Sequence, residues 1–230
     1  MPAYAQLTWQ EHTVQIVRSA RRRKTIQLQI RQPHILCRAP QHSTDADILR
    51  ILEQKSAWLL RQLQRPPATP KRYADGEMFH YLGDPYRLRC LCGTNPHVQR
   101  TTDQLIVTVP ETTPAQIRAA LTDWYLRQAW EKLPAWVAHY QGQISVSPKE
   151  ILIKSYKTRW GTCYADGRLS FDWRIILAPP EIVDYVVIHE LCHLIHLNHS
   201  AQFWQLVQQY HPDYQAARDW LKQHGNKLQI

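Results

Sequence analysis

One short stretch holds the residues whose types and spacing can do chemistry: His189-Glu190-Leu191-Cys192-His193, with His199 six residues further on. On a helix, positions i and i+4 share a face one turn apart, so His189 and His193 direct two imidazoles at one point. Glu190, beside the first of them, reaches a water held at that point. Two imidazoles with an adjoining carboxylate suit zinc, which takes nitrogen ligands and leaves room for a third ligand and for water. With 12 His and 8 Glu in 230 residues, the arrangement arises by chance about 2 % of the time. His199 falls in the turn after the helix, where the chain can fold back. The spacing therefore predicts one zinc ion per chain on His189, His193 and His199, with Glu190 as general base. His196 is read as support or surface, and Cys192, by helical phase, as a packed thiol.

The elements that must position these groups follow from local signals. Ala178-Pro179-Pro180-Glu181 opens the motif helix, with Pro in the first turn and Glu at the positive dipole end. Ile182, Tyr185, Val186 and Val187 give it a buried face, and it is expected to close near Leu197-Asn198. Ser200 caps a following helix from Ala201 to about Tyr210, and Pro212-Asp213 starts a last one, with Trp220 inward and Gly225 at its end. Upstream, residues 151–156 read as a strand and Asp166-Gly167 as a hairpin turn. Between them Lys157 and Arg159 flank Trp160, a strand rim beside the metal helix where a substrate backbone can add, so these three are candidate substrate contacts.

Further back, residues 12–17, 25–30 and 34–38 read as strands, followed by a helix from Thr44 or Asp45 to about Gln64 and a linker, Pro66-Pro67-Ala68-Thr69-Pro70. Strands at 86–92 and 104–109 and a helix capped by Thr113 come next, with Pro134 expected to kink or break that helix. Trp58-Leu59-Leu60-Arg61-Gln62 against Trp124-Tyr125-Leu126-Arg127-Gln128 hints at a strand–strand–helix duplication.

Composition excludes some classes. No run of about 18 apolar residues is present, so no spanning helix is expected, and the first residues lack the pattern of a signal peptide. Five cysteines (37, 90, 92, 163, 192) without an export signal point to reduced thiols and a cytoplasmic location. Cys90-Leu91-Cys92 is read as a strand with small buried residues rather than a second metal site. Charge is uneven: residues 1–73 carry 13 Lys+Arg and 4 Asp+Glu, whereas residues 74–230 carry 15 of each. Arg21, Arg22, Arg23 and Lys24 are therefore a candidate contact for a polyanion such as nucleic acid, or a solvated loop.

The stretch from Lys157 to Cys163, then Asp172-Trp173-Arg174, Leu177-Ala178-Pro179-Pro180, the histidine motif and Phe203-Trp204 resembles the YgjP-like metallopeptidase-domain family, itself similar to SprT-like proteases and the minigluzincins. The resemblance implies an α+β, zincin-like catalytic domain, with an N-terminal β-rich region and helices on a small, mostly antiparallel sheet. It places a basic strand/helix region at 1–112 and the metallohydrolase at 113–230. It implies zinc on His189, His193 and His199, Glu190 as base, and a peptide or protein substrate. It also implies a second activity, UTP pyrophosphatase, in which Lys157, Arg159 or the Arg21–Lys24 run would hold phosphates, although no P-loop is present. A third reading is a nucleic-acid-associated SprT-like protease module. Candidate oxyanion donors are His196, Tyr156 and Tyr210.

Overall fold

The computed structural model describes residues 5–31, 34–64 and 71–230. The chain forms two compact units, Met1–Thr69 and Pro70–Ile230. The boundary thus falls at the proline-rich stretch 66–70, not at 112/113. That stretch, read above as a linker, itself lies outside the described residues. The strands between 78 and 109 belong with the second unit because their inward side chains, Phe79, Tyr81, Leu88, Leu105 and Val107, join one apolar core with the helices that follow.

The first unit contains β1 (Ala5–Trp9), β2 (His12–Ser19), β3 (Gln27–Arg31) and β4 (His34–Pro40), in the order β1-β2-β4-β3. β2 and β4 are parallel; the outer pairings are antiparallel. Thr44 caps α1 (Asp45–Gln54) through a capping box with Asp47. The single helix expected to Gln64 is two, since the chain leaves helical geometry at Lys55 before α2 (Ser56–Leu63). Trp9, Val14, Ile16, Ile35, Ile48, Leu52 and Leu59 form its core.

The second unit begins with the same plan: β5 (Met78–Tyr81), β6 (Asp84–Cys92), β7 (His97–Arg100) and β8 (Gln104–Val109), ordered β5-β6-β8-β7 with the central pair parallel. The expected duplication is thus visible as topology, extended by strands β1, β5 and β7, which the pattern of alternation did not reveal. α3 (Pro114–Ile144) runs 31 residues from its Thr113 cap. The proline at 134 does not break it: Leu133 and Val137, on either side, are buried, and Trp136 and Tyr140 both donate to Asp184 at 2.8 Å, which holds the part beyond the proline.

β9 (Glu150–Lys154), β10 (Gly161–Cys163) and β11 (Arg168–Asp172) make a three-stranded sheet with β11 central, antiparallel to β10 and parallel to β9. Each of the three sheets contains one parallel pairing, and the pairings are mostly antiparallel, as the sequence reading expected. The Asp166-Gly167 turn forms as the sequence predicts, with Gly167 at φ 86°. A 3-10 helix, Trp173–Leu177, leads into α4 (Pro180–Cys192), followed by α5 (Ala201–Tyr210) and α6 (Tyr214–His224). No helix among the described residues is long and apolar enough to cross a membrane.

Two close approaches fix where α4 starts. In the β5–β6 turn, Leu82 and Gly83 both take positive φ, 50° and 85°. Leu82 N–H donates to Ile176 O at 2.7 Å, and a Cβ on Gly83 would lie 2.9 Å from Pro179 Cα. The turn thus rests directly on the residue preceding α4, and only a glycine permits that contact.

Candidate metal centre

α4 is apolar on nearly every side, and Ile182, Val183, Tyr185, Val186, Val187, Ile188 and Leu191 are all buried. A helix buried all round is held without freedom to rotate, so the imidazoles near its end have a fixed origin. The helix stops at Cys192, earlier than expected, with His193 as a C-cap still in αR geometry. The i, i+4 relation of His189 and His193 therefore survives. Past Cys192 the chain tightens into i→i+3 bonds, Leu194 N to Leu191 O at 3.0 Å and Ile195 N to Cys192 O at 3.1 Å. Asn198, expected to close the helix, instead accepts from Ser200 N–H at 3.2 Å in the turn that brings His199 back. Ser200 then caps α5.

The result is a near-equilateral triangle. The Nε2 atoms of His189, His193 and His199 are 3.2, 3.2 and 3.1 Å apart. Three nitrogens bound tetrahedrally to zinc at ~2.0–2.1 Å would stand ~3.3 Å from one another, so the triangle fits such an ion. The protonation states fit as well. His193 Nδ1 faces the His196 carbonyl at 2.9 Å and must donate to it, which leaves Nε2 as the bare lone pair. His189 Nδ1 meets Tyr185 Oη at 3.3 Å. Burial holds all three imidazoles below their ordinary range, His189 down to about 3, where His193 and His199 add to the effect. Neutral imidazoles are what a metal requires. His196 contributes its backbone carbonyl, a contact that does not involve its imidazole.

His199 is exposed and its ring is set by stacking. Trp204 lies against it at 5.3 Å and 19°. Tyr214 stacks on Trp204's ring at 5.3 Å and 17°, and the Arg218 guanidinium sits 4.3 Å from its centroid. Phe203, fully buried, stacks on His193 at 4.4 Å. Phe203 and Trp204 entered the sequence reading only as part of a resemblance. Tyr214 and Arg218 were missed, because nothing local marks a residue that touches the site from another helix.

Glu190 is only 6 % exposed. Burial pushes its carboxyl up to about 8, against the Cys163 backbone N–H that hydrogen-bonds it and the nearby Arg159, which both lower it. Gly161 makes room for it: a Cβ there would lie 2.5 Å from Glu190 Oε1. Sequence reasoning passed over that glycine, although its place between Trp160 and Thr162 in an otherwise side-chain-rich rim was the available signal. Arg159, Gly161, Thr162, Cys163, Glu190 and the three histidines line an open cleft of about 370 Å³, with Leu197, 73 % exposed, at its lip.

Of the candidate substrate contacts, Arg159 lines this cleft, while Lys157 and Trp160 line an adjoining hollow. Trp160 is packed, with its ring near Gly225 and the Arg174 guanidinium 5.9 Å from its centroid. The candidate oxyanion donors Tyr156 and Tyr210 do not line the cleft; their hydroxyls bond Ser170 and the Gln143 carbonyl. Nor does the His196 side chain line it. Cys192 is a buried thiol, pushed up to about 12 by burial. Cys90 and Cys92 join no metal-binding cluster among the described residues; the histidine triad is the cluster found there.

Comparison with known proteins accords with this geometry. The model of a family described as YgjP-like, metallopeptidase domain, matches residues 24–224. No curated protein matches the chain. Among solved structures, the metallopeptidase zymogen of Pyrococcus abyssi abylysin is similar, at 20 % identity and a TM-score of 0.34, over 39 % of this chain and 93 % of that one. A family match across most of the sequence, through the helix that carries the triad, identifies the chain as a member of the YgjP-like metallopeptidase-domain family.

Proposed function

We propose that the protein is a zinc-dependent peptidase in which His189, His193 and His199 hold one zinc ion and Glu190 is the general base. The observation that carries this reading is the closed triangle of Nε2 atoms beside a buried carboxyl group in one cleft. A bound zinc ion supplies Lewis acidity to the water and the carbonyl that meet there. Glu190 takes the proton of the attacking water and returns it to the leaving amine. Its raised pKa suits a group that must both accept and release a proton near neutrality. Arg159, which lines the same cleft, is the cation that steadies the developing oxyanion. β10 is an edge strand of its sheet, so an extended peptide can lie along it over the histidines.

The test sets zinc-loaded parent beside Glu190→Gln, with an unstructured protein and nucleoside triphosphates as substrates. Cleavage of the protein, abolished in a variant that still binds one zinc, is the expected outcome. Cleavage of UTP with the same dependence, and none of protein, replaces the peptidase reading with a pyrophosphatase.

A second reading concerns the first unit as a docking module for a polyanion. Arg21, Arg23 and Lys24 are exposed and lack carboxylate partners among the described residues, and Arg22 is spent on Thr25 and Gln27. Their positive field suits nucleic acid and would carry the peptidase to proteins bound there. Five free thiols agree with a cytoplasmic setting.

A further inference from the structure

The metal cleft does not end at Arg159. The same residue also lines a second hollow, of about 300 Å³, whose other walls include Lys157, Arg174, Leu228 and Asn226. A third, sharing Tyr156, Lys157, Arg174 and Gln229 with it, continues to Arg118. A trough with cations at every stage therefore leads away from the histidines, and no Asp or Glu side chain lines either of these two hollows.

The cations are not loosely hung. Asp172, fully buried, anchors both ends of the segment that bears them. Its Oδ2 accepts from Tyr156 N–H at 2.6 Å, and its own N–H donates to Trp160 O at 2.8 Å. Arg174 is held by the same carboxylate through Nε at 2.8 Å and Nη2 at 2.5 Å, and it also donates to Tyr156 O. Arg174 is thus neutralised by its partner but still has Nη1 without a hydrogen-bond partner. Arg159 is steadied by Thr162 Oγ1 at 3.0 Å and by the Tyr156 ring. Lys157 is exposed and has no hydrogen-bond or ion-pair partner among the described residues. An ammonium with no counter-ion, beside a rigid guanidinium that has a donor to spare, makes an acceptor site for an oxyanion.

We propose that this trough is a specificity subsite for acidic side chains of the substrate, with Lys157 as its principal charge. The inference rests on the peptidase reading, because a peptide lying along β10 past Arg159 is what brings neighbouring side chains to Lys157. A substrate with glutamates to one side of the scissile bond is preferred over its neutral counterpart, and the preference is electrostatic.

The experiment measures binding, so that it does not depend on turnover. Zinc-loaded Glu190→Gln is titrated into a fluorescein-labelled peptide alternating glycine and glutamate, and into its glutamine counterpart, with anisotropy as readout. The acidic peptide is expected to bind about fivefold more tightly at low salt, and the difference is expected to vanish as salt shortens the screening length. Lys157→Ala in the same background removes the preference and Lys157→Glu reverses it, while Lys132→Ala, a cation on α3 outside the trough, preserves it. Equal affinity for the two peptides overturns the proposal, as does a preference that survives Lys157→Ala. Tighter Lys157-dependent binding of a nucleoside triphosphate than of the acidic peptide overturns it too, by assigning the trough to phosphates. A parent enzyme that cleaves no peptide, with the Lys157-dependent preference intact, sinks the peptidase reading alone.

Discussion

At the scale of single residues, Gly161 and Trp204 matter for different reasons. A methyl at Gly161 would lie 2.5, 2.6 and 2.7 Å from Oε1, Cγ and Cδ of the buried Glu190 side chain, so Gly161→Ala is expected to push the carboxyl from its place while the histidine triad, which it does not touch, still takes up zinc. A displacement of about 1 Å at a catalytic group costs on the order of 100-fold in rate. The expected result is a kcat reduced to that degree with unchanged zinc stoichiometry, measured on any peptide the parent cleaves. Trp204 acts on the metal instead. It is the face against which His199 rests, and His199 is the one histidine of the triad that lies beyond α4 and its C-cap. Trp204→Ala is expected to weaken zinc binding by about 10–100-fold, read by competition with a chelating dye, and Trp204→Phe to restore most of it. The clustered triad was legible in the sequence because a helical repeat is a local property: His189, His193 and Glu190 sit within five residues. Gly161 and Trp204 were not identified as site-shaping residues, since their roles come from contacts between separate elements.

Elements show the same division. Caps at Thr44, Thr113 and Ser200 and the turn at Asp166-Gly167 were readable, because a cap or turn is set by a few neighbouring residues. The continuation of α3 past Pro134 was not, since contacts with Asp184 from 48 and 44 residues away help to hold it. Strands β5 and β7 are only four residues each, too short for alternation to stand out. The hub of the second unit's sheet region is Asp172, which ties β11, the 3-10 helix, and the segment from Tyr156 to Trp160 into one piece. Removing one partner of a buried charged network costs about 3–5 kcal/mol. Asp172→Ala is therefore expected to lower unfolding free energy by that amount in urea titration, whereas Lys157→Ala, at an exposed and unpaired position, should leave it within about 0.5 kcal/mol.

For the whole molecule, the metal triad, Glu190 and the core around them all lie in the unit Pro70–Ile230. A chain comprising residues 71–230 is accordingly expected to unfold cooperatively and to bind one equivalent of zinc. It is also expected to lack the salt-sensitive affinity for a labelled oligonucleotide that is expected of the full chain through Arg21, Arg23 and Lys24. Retained oligonucleotide binding would move the polyanion surface out of the first unit. That two units exist was partly legible: the proline-rich stretch and the charge change after residue 73 both lie near the division between residues 69 and 70, although the sequence reading divided the chain at 112/113. The sheet order that recurs, outer strand, inner pair in parallel, outer strand, bears on how freely the sequence can change. The copy in the second unit is pinned by its β5–β6 turn to the start of α4, so drift there displaces the ligands. The copy in the first unit carries none of the triad. In a library of random substitutions selected for activity, replacements should accumulate unequally between two sheets of the same design, sparing β5 and β6 and crowding into the outward positions of β2 and β4.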